Sequence, residues 1–455
     1  MIDSSPESRR EFLGHSVSLG VVAFTGLRAM VGRAQHETVN DIAKEDAGIQ
    51  QQAQVGGGNR IRGLLIGGVL GDALGGPVEF QSGPEVDAAL PCTRNWNEDR
   101  SLNAADLTRL AETLPLYSYE KLRPGIEPYG QWYEDSPAGT TTDDTRHKIV
   151  LMRMLKDAVA KQAFPVNSRN LAAQYINFTP KPGQPVPESL APVVDEAFHE
   201  YRLAARWLLG ERDPKISRPV ERLWAGEPNC SGQMMLTPLA AAFPGDPASA
   251  YLAAYSLDFI DGPGARDIAA ALVAGLSAVL APEMDAESVS IRWKRLFDAM
   301  ESTDPYGYGD VPFAGRPLRR WLDHAREFAA TAEGRPSRLF ELLETQGRPL
   351  YWWDAHFTLL VPVAILIFCE FNPLAALHLT LDFRHDSDSY AHVLAAMAGA
   401  VHGEEIFPKE FRETTAGRHR EDYGESIDEW EQTLQLCSQR HKSGAPFVLP
   451  TGAES

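Results

Sequence analysis

The sequence predicts an all-α fold: one orthogonal, multi-helical domain with long loops between its helices. Three observations carry that prediction. Apolar residues recur at three-to-four spacing through several long segments, the period of a helix face. Alternating runs bounded by turn signals, the mark of half-buried strands, are scarce. Proline- and glycine-rich stretches separate the helical segments, and no fixed-period repeat links them.

Taken in order, the chain opens on an Arg9-Arg10 pair before Phe12-Leu13 and a mild apolar run from Val17 to Leu27, followed by Gly32 and Ala34. This pattern resembles a twin-arginine export signal over residues 1–34, which places the mature protein in a periplasm or outside the cell. A chance arginine pair ahead of a dispensable arm is the bland alternative. Residues 35–58 are polar and end in glycines, as a linker does. The helical domain is expected over 59–445, with a tail at 446–455. Its first helix, "IRGLLIGGVLGDALGGPVEF" (61–80), has glycine at every fourth position: Gly63, Gly67, Gly71 and Gly75. Each glycine costs about 1 kcal/mol against alanine in a helix interior. Local propensity therefore cannot explain the stripe, whereas close approach of another backbone can. A membrane dimer of the same pattern is disfavoured by Arg62 and Asp72 within the segment. Further helices read at 249–260, at 267–281 behind an Asp267 cap, at 389–403 and at 426–442. The run "TLLVPVAILIFC" (358–369) is too short to span a bilayer and contains Pro362, so it reads as a buried core helix. Loops are expected at 120–140, 179–189 and 304–317.

Composition narrows the function. The 455 residues are 44% hydrophobic and 23% charged, enough for one large core or two domains. A net charge of −19 repels phosphate backbones and anionic lipid, so nucleic acid is excluded as a partner, and cations are favoured near carboxylates. No membrane span is expected after signal removal, and the protein is expected to be a monomer. Cys92, Cys230, Cys369 and Cys437 lie far apart without a CxxC pair, against a zinc ribbon, and leave disulfides open.

Two short stretches carry chemistry. "AGTTTDDTRHK" (138–148) places Asp143 and Asp144 after Thr142, which suits either a helix start or half of a metal site. "DSDSYAHVLAAMAGAVHG" (386–403) repeats that content in Asp386, Asp388 and Ser389. Loops at helix starts can converge in a bundle. Together they offer four carboxylates and two hydroxyls, hard oxygen ligands that suit Mg²⁺ or Mn²⁺ better than zinc. His147 and His385 beside these acids offer a competing zinc reading, disfavoured because histidines are common at helix ends. His392 and His402, ten residues apart, do not share a face closely. Tyr351 and the following "WWD" (352–354) read as packing aromatics that could also stack on a base.

With the glycine helix, these stretches resemble, in order, the ADP-ribosylglycohydrolase family over residues 60–405. The family motifs G-D-A-x-G-x-x-x-E, T-D-D-T and G-G-D-T-D-T match "GDALGGPVE", "TDDT" and "RHDSDS". "LTPLAAAFPGDPASAYLAAYSLDF" (236–259) is similar to its middle region. The resemblance implies an all-α fold and two divalent cations, Mg²⁺ or Mn²⁺, on Thr142, Asp143, Asp144, Asp386, Asp388 and Ser389. It implies hydrolysis of the ribosyl glycosidic bond of ADP-ribosylated protein or an ADP-ribose derivative. Glu79 would be the mobile acid or base, or else a loop glutamate paired with an arginine. Asp72 would be a second catalytic acid, or else a partner of backbone amides. The chain departs from the family where Arg384-His385 replaces the glycine pair and Ser389 the threonine. "NCSGQMML" (229–236) is a loose match, and Asp261 stands for a histidine in "DFIDGPG" (258–264). A hydrolase of another ribosyl or nucleoside compound and a non-catalytic ligand-binding member are the alternatives.

Overall fold

The computed structural model describes residues 57–82, 100–307, 309, 315–347 and 351–449. The signal, most of the linker, Cys92 and the last residues of the tail lie outside the described residues. The described chain is built from α-helices and short 3-10 turns, with one isolated bridge, Val166 to Val448, in place of any sheet. The expected all-α architecture is what forms.

The helices that matter for the site are α1 (Gly57–Gly75), α2 (Asp143–Lys161), α3 (Ser231–Leu236), α4 (Pro247–Leu257), α5 (Pro263–Val279), α6 (Ala355–Phe368), α7 (Pro373–Phe383), α8 (Ser387–His402) and α9 (Ile427–Lys442). Their ends follow local chemistry. α2 starts on Thr142, whose hydroxyl accepts from the Asp144 amide at 3.3 Å, so the stretch is a helix start. α9 opens on a reciprocal Ser426/Glu429 capping box. α6 holds Pro362 in its interior and is almost wholly buried, as a core helix should be.

Three boundaries differ from expectation. α1 stops at Gly75 rather than 80, because Pro77 lacks the amide hydrogen the ladder needs and the chain turns into a 3-10 segment, Gly76–Val78. α5 starts at Pro263, so Asp267 is not its cap. That carboxylate lies buried inside the helix, where Arg316 holds it at 2.7 and 2.9 Å and the Tyr251 hydroxyl donates to it at 2.6 Å. At the other end the domain passes 445: the Val166 amide donates to the Phe447 carbonyl, the Leu449 amide donates to the Val166 carbonyl, both at 2.9 Å, and Phe447 is buried. Cys230, Cys369 and Cys437 are buried free thiols, so the described cysteines form no disulfide.

α1 and α8 form the spine. Along α1, Gly63, Gly67, Gly71 and Gly75 face, in reverse order, the backbone of Gly399, Ala395, Ala391 and Ser387. A methyl added at any of the four would fall onto a carbonyl of α8, nearer than real Cβ atoms approach. The glycine stripe thus does what its spacing predicted, and the partner backbone is the helix carrying the second acid cluster. Asn59–Val78 is long and apolar enough to cross a membrane by composition, yet nearly all of it is buried inside the protein. Arg62, near its start, pairs with Glu404 at 3.0 Å.

Gly68 lies off the stripe: its added Cβ would meet Lys148 Cε at 3.4 Å, His392 Cδ2 at 3.5 Å and Ala396 Cβ at 3.9 Å, all side-chain atoms at ordinary contact distance. Gly71→Ala should therefore destabilise the fold by about 3 kcal/mol. Gly68→Ala should be neutral or stabilising by up to about 1 kcal/mol. Denaturant melts of the two variants check this contrast, and equal losses at both positions would refute the one-sided contact.

Candidate metal centre

The antiparallel spine sets the first two walls of the site. Because Gly75 packs on Ser387, the turn after α1 meets the start of α8, and the Phe80 amide donates to the His385 carbonyl at 2.9 Å. Glu79 and Asp386 are thereby brought together from opposite ends of the chain. The third wall is α2. Asp72, on the last turns of α1, accepts from the Thr142 amide at 2.9 Å and the Thr145 amide at 2.8 Å. Asp72 thus makes the backbone-amide contacts of its alternative reading and positions the start of α2.

The two triplets do converge. Thr142 Oγ1 donates to Asp388 Oδ2 at 2.9 Å, and Ser389 Oγ donates to Asp144 Oδ2 at 3.0 Å. Carboxylate oxygens of Glu79, Asp386 and Asp388 lie within 4.8 Å of one another, and so do those of Asp143, Asp144 and Asp388. Asp388 belongs to both groups. Glu79 thus stands among the acids themselves, where it is also paired with the buried Arg123 guanidinium. The arginine pairing expected as its alternative reading is what forms.

The donors are all oxygens, and Asp386 Oδ2 is buried with no hydrogen-bond partner. An acceptor in that state is costly unless a cation faces it. The set therefore fits a hard divalent ion. The charges agree. Burial, then the neighbouring carboxylates, pushes Asp143, Asp386 and Asp388 well above the usual carboxylate range. Burial raises Glu79 to about 7 against the pull of Arg123, and burial with the Asp144 charge raises Asp72. Asp144 alone is lowered. Burial pushes it up, but the hydrogen bond from His392, the Lys148 charge and the Ser389 hydroxyl outweigh that. His392 itself is drawn down to about 4 by burial and by Lys148. We take it as neutral, donating one hydrogen to an ionised Asp144, since a neutral imidazole can make that bond.

Three supporting groups escaped the sequence reading. Arg123 comes from the loop after Tyr119–Leu122 and carries no local signal. Lys148 and His392 did carry one: each lies four residues beyond a cluster acid, Asp144 and Asp388, on the same helix face. Lys148 is buried and its ammonium donates to the Asp144 carbonyl at 3.0 Å. Neither histidine of the zinc alternative belongs to the acid groups. His147 Nδ1 bonds the Tyr175 hydroxyl at 2.8 Å within a cage of Tyr201 and Phe198. His385 stacks on Trp352 at 3.5 Å and reaches Glu344 at 3.1 Å. Trp352 is thus packing, as expected, and Asp354 caps α6 by accepting from the His356 amide at 2.8 Å. Arg384 and His385 adopt left-handed φ values of 62° and 54°, a conformation costing non-glycine residues roughly 1–2 kcal/mol each. Arg384 donates to the Gln81 carbonyl at 3.2 Å.

A family model described as ADP-ribosylglycohydrolase matches residues 54–443. A solved structure described as an ADP-ribosylglycohydrolase-related protein complex shares 17% identity, covering 84% of this chain and 98% of that one at a TM-score of 0.45. No curated protein matches the chain.

The raised carboxyls predict a pH signature. A group whose folded pKa exceeds its unfolded value stabilises the fold in full below about pH 4 and loses that contribution as pH climbs through the folded value, near 7 for Glu79. His147, His402 and His419, lowered to about 3, 4 and 3 by burial, act oppositely, losing their contribution as pH falls below 6.5. Comparing melts with Mn²⁺ and with chelator cancels the histidines. The rise in Tm given by Mn²⁺ should grow from pH 5 to pH 8; a rise independent of pH would refute the repelling cluster.

Proposed function

The chain belongs to the ADP-ribosylglycohydrolase family, and we propose that it is a dinuclear Mg²⁺- or Mn²⁺-dependent hydrolase of the ribosyl bond in ADP-ribose conjugates. One observation carries this reading: the two carboxylate groups share Asp388 and include Glu79. A carboxylate common to both groups suits two cations a few ångströms apart. Thr142, Asp143, Asp144, Asp386, Asp388 and Ser389 would hold them, and the ions would orient ribose hydroxyls and polarise water.

The remaining chemistry belongs to side chains of the protein. The bond from the ribose anomeric carbon to an arginine nitrogen or a serine oxygen breaks, and the electron pair leaves with the acceptor atom. Glu79, raised to about 7, is matched to hold a proton for that atom and to take one from the attacking water. Arg123 keeps the glutamate oriented and limits how far burial raises it. The surrounding carboxylates favour positive charge on the sugar in an oxocarbenium-like transition state. Water's hydroxyl ends on the anomeric carbon, giving free ADP-ribose.

A second reading, hydrolysis of another ribosyl or nucleoside compound, is favoured by Arg384 and His385 at the edge of the site, where the family pattern has glycines. The export-type N-terminus supports the same direction, because it would place the enzyme among extracytoplasmic ribosyl compounds.

Incubation of the full chain with arginine- and serine-linked ADP-ribosyl peptides tests the proposal. Free ADP-ribose should appear with Mg²⁺ or Mn²⁺ and cease with chelator. Asp143→Ala should lose both Mn²⁺ binding and turnover, while Glu79→Gln should retain Mn²⁺ and slow turnover by about 10²–10⁴-fold. Bound metal without turnover of any ribosyl substrate would point instead to a ligand-binding protein.

A further inference from the structure

His392 in α8 stands just before the small and apolar run "VLAAMAGAV" (393–401), and its imidazole is wholly buried. It lies behind the acids and is not among their candidate ligands. Nδ1 is 2.6 Å from Asp144 Oδ1, and Nε2 is 3.3 Å from Thr237 Oγ1. A carboxylate that holds a cation only accepts, so Nδ1 would carry the ring hydrogen, and the Thr237 hydroxyl, which can donate or accept, would donate to Nε2. The carboxylate thus sets the tautomer, and Thr237 accommodates it. Ser389 holds the second oxygen of Asp144 at 3.0 Å. The carboxylate therefore has one rotation, set by two donors on different atoms of α8.

We propose that His392, backed by Thr237, is a positioning residue that clamps Asp144 through Oδ1 and keeps its remaining lone pairs on the side of Asp143 and Asp388. This rests on the metal-dependent reading above. A residue of this kind acts through the ligand it orients, and its loss typically weakens metal affinity by about 10–100-fold. A merely space-filling histidine would affect stability and leave affinity alone.

Mn²⁺ titration by calorimetry, with thermal melts as a check of folding, separates these roles. His392→Ala should bind Mn²⁺ at least about tenfold more weakly than the native protein. His392→Asn, whose amide nitrogen takes the position of Nδ1, should restore most of that affinity. Native-like affinity in His392→Ala overturns the clamp, as does a folded His392→Asn no better than the alanine variant. Absence of Mn²⁺ binding by the native chain overturns the clamp together with the metal reading, so the two failures are distinct. Long-range ¹H–¹⁵N spectra of the metal-free native protein give a readout that needs no variant. They should show His392 with its hydrogen on Nδ1, and a hydrogen on Nε2 would overturn the proposal.

Discussion

The contact between the backbones of α1 and α8 is the constraint on which the site depends. Four glycines on one face of α1 let the antiparallel helix approach until its carbonyls occupy the volume that side chains would fill. The intrinsic cost is about 4 kcal/mol of helix propensity, and it is offset by burying both helices almost completely. The register follows from the same contact. Gly75 against Ser387 fixes which turn meets which helix start, and so places Glu79 beside Asp386 although some 300 residues separate them. Asp72 extends the arrangement to α2 through two backbone amides.

The site then carries an electrostatic load that the fold must bear before any cation arrives. Carboxylates converge in a buried volume, and most are driven towards their neutral forms. Two buried cations moderate this without entering the cluster: Arg123 on the Glu79 side and Lys148 behind Asp144. Asp144 is the exception that stays charged, because donors reach both of its oxygens. The cluster is therefore graded, with one acid drawn towards its charged form and the others driven towards their neutral ones.

Much of this was legible in the chain, and for identifiable reasons. The glycine stripe, Thr142-Asp143-Asp144 and the Asp386–Ser389 segment are local patterns whose spacing alone states a geometry. Asp72 was legible as a residue but not as a role, since only the fold shows which amides it reaches. Arg123, Thr237 and Tyr175 reach their partners through tertiary contact, which no period in the sequence encodes. The Asp267 cap was misjudged because a buried Arg316, nearly fifty residues away, supplies a reason for that aspartate unrelated to helix ends. The domain end was placed too early because Phe447 and Val448 join the core without any periodic pattern.

The left-handed pair Arg384-His385 has a different standing from the spine beside it. The spine tolerates almost no exchange, since each of its glycines is dictated by a neighbouring carbonyl. The pair is strained backbone held by side-chain contacts with Trp352, Glu344 and the Gln81 carbonyl, at the border of the site. Relieving that strain by glycine would remove bulk there and leave every oxygen donor where it stands. Bulk at the border of the site can thereby change at two adjacent positions, while the backbone contact that places the acids is held by geometry.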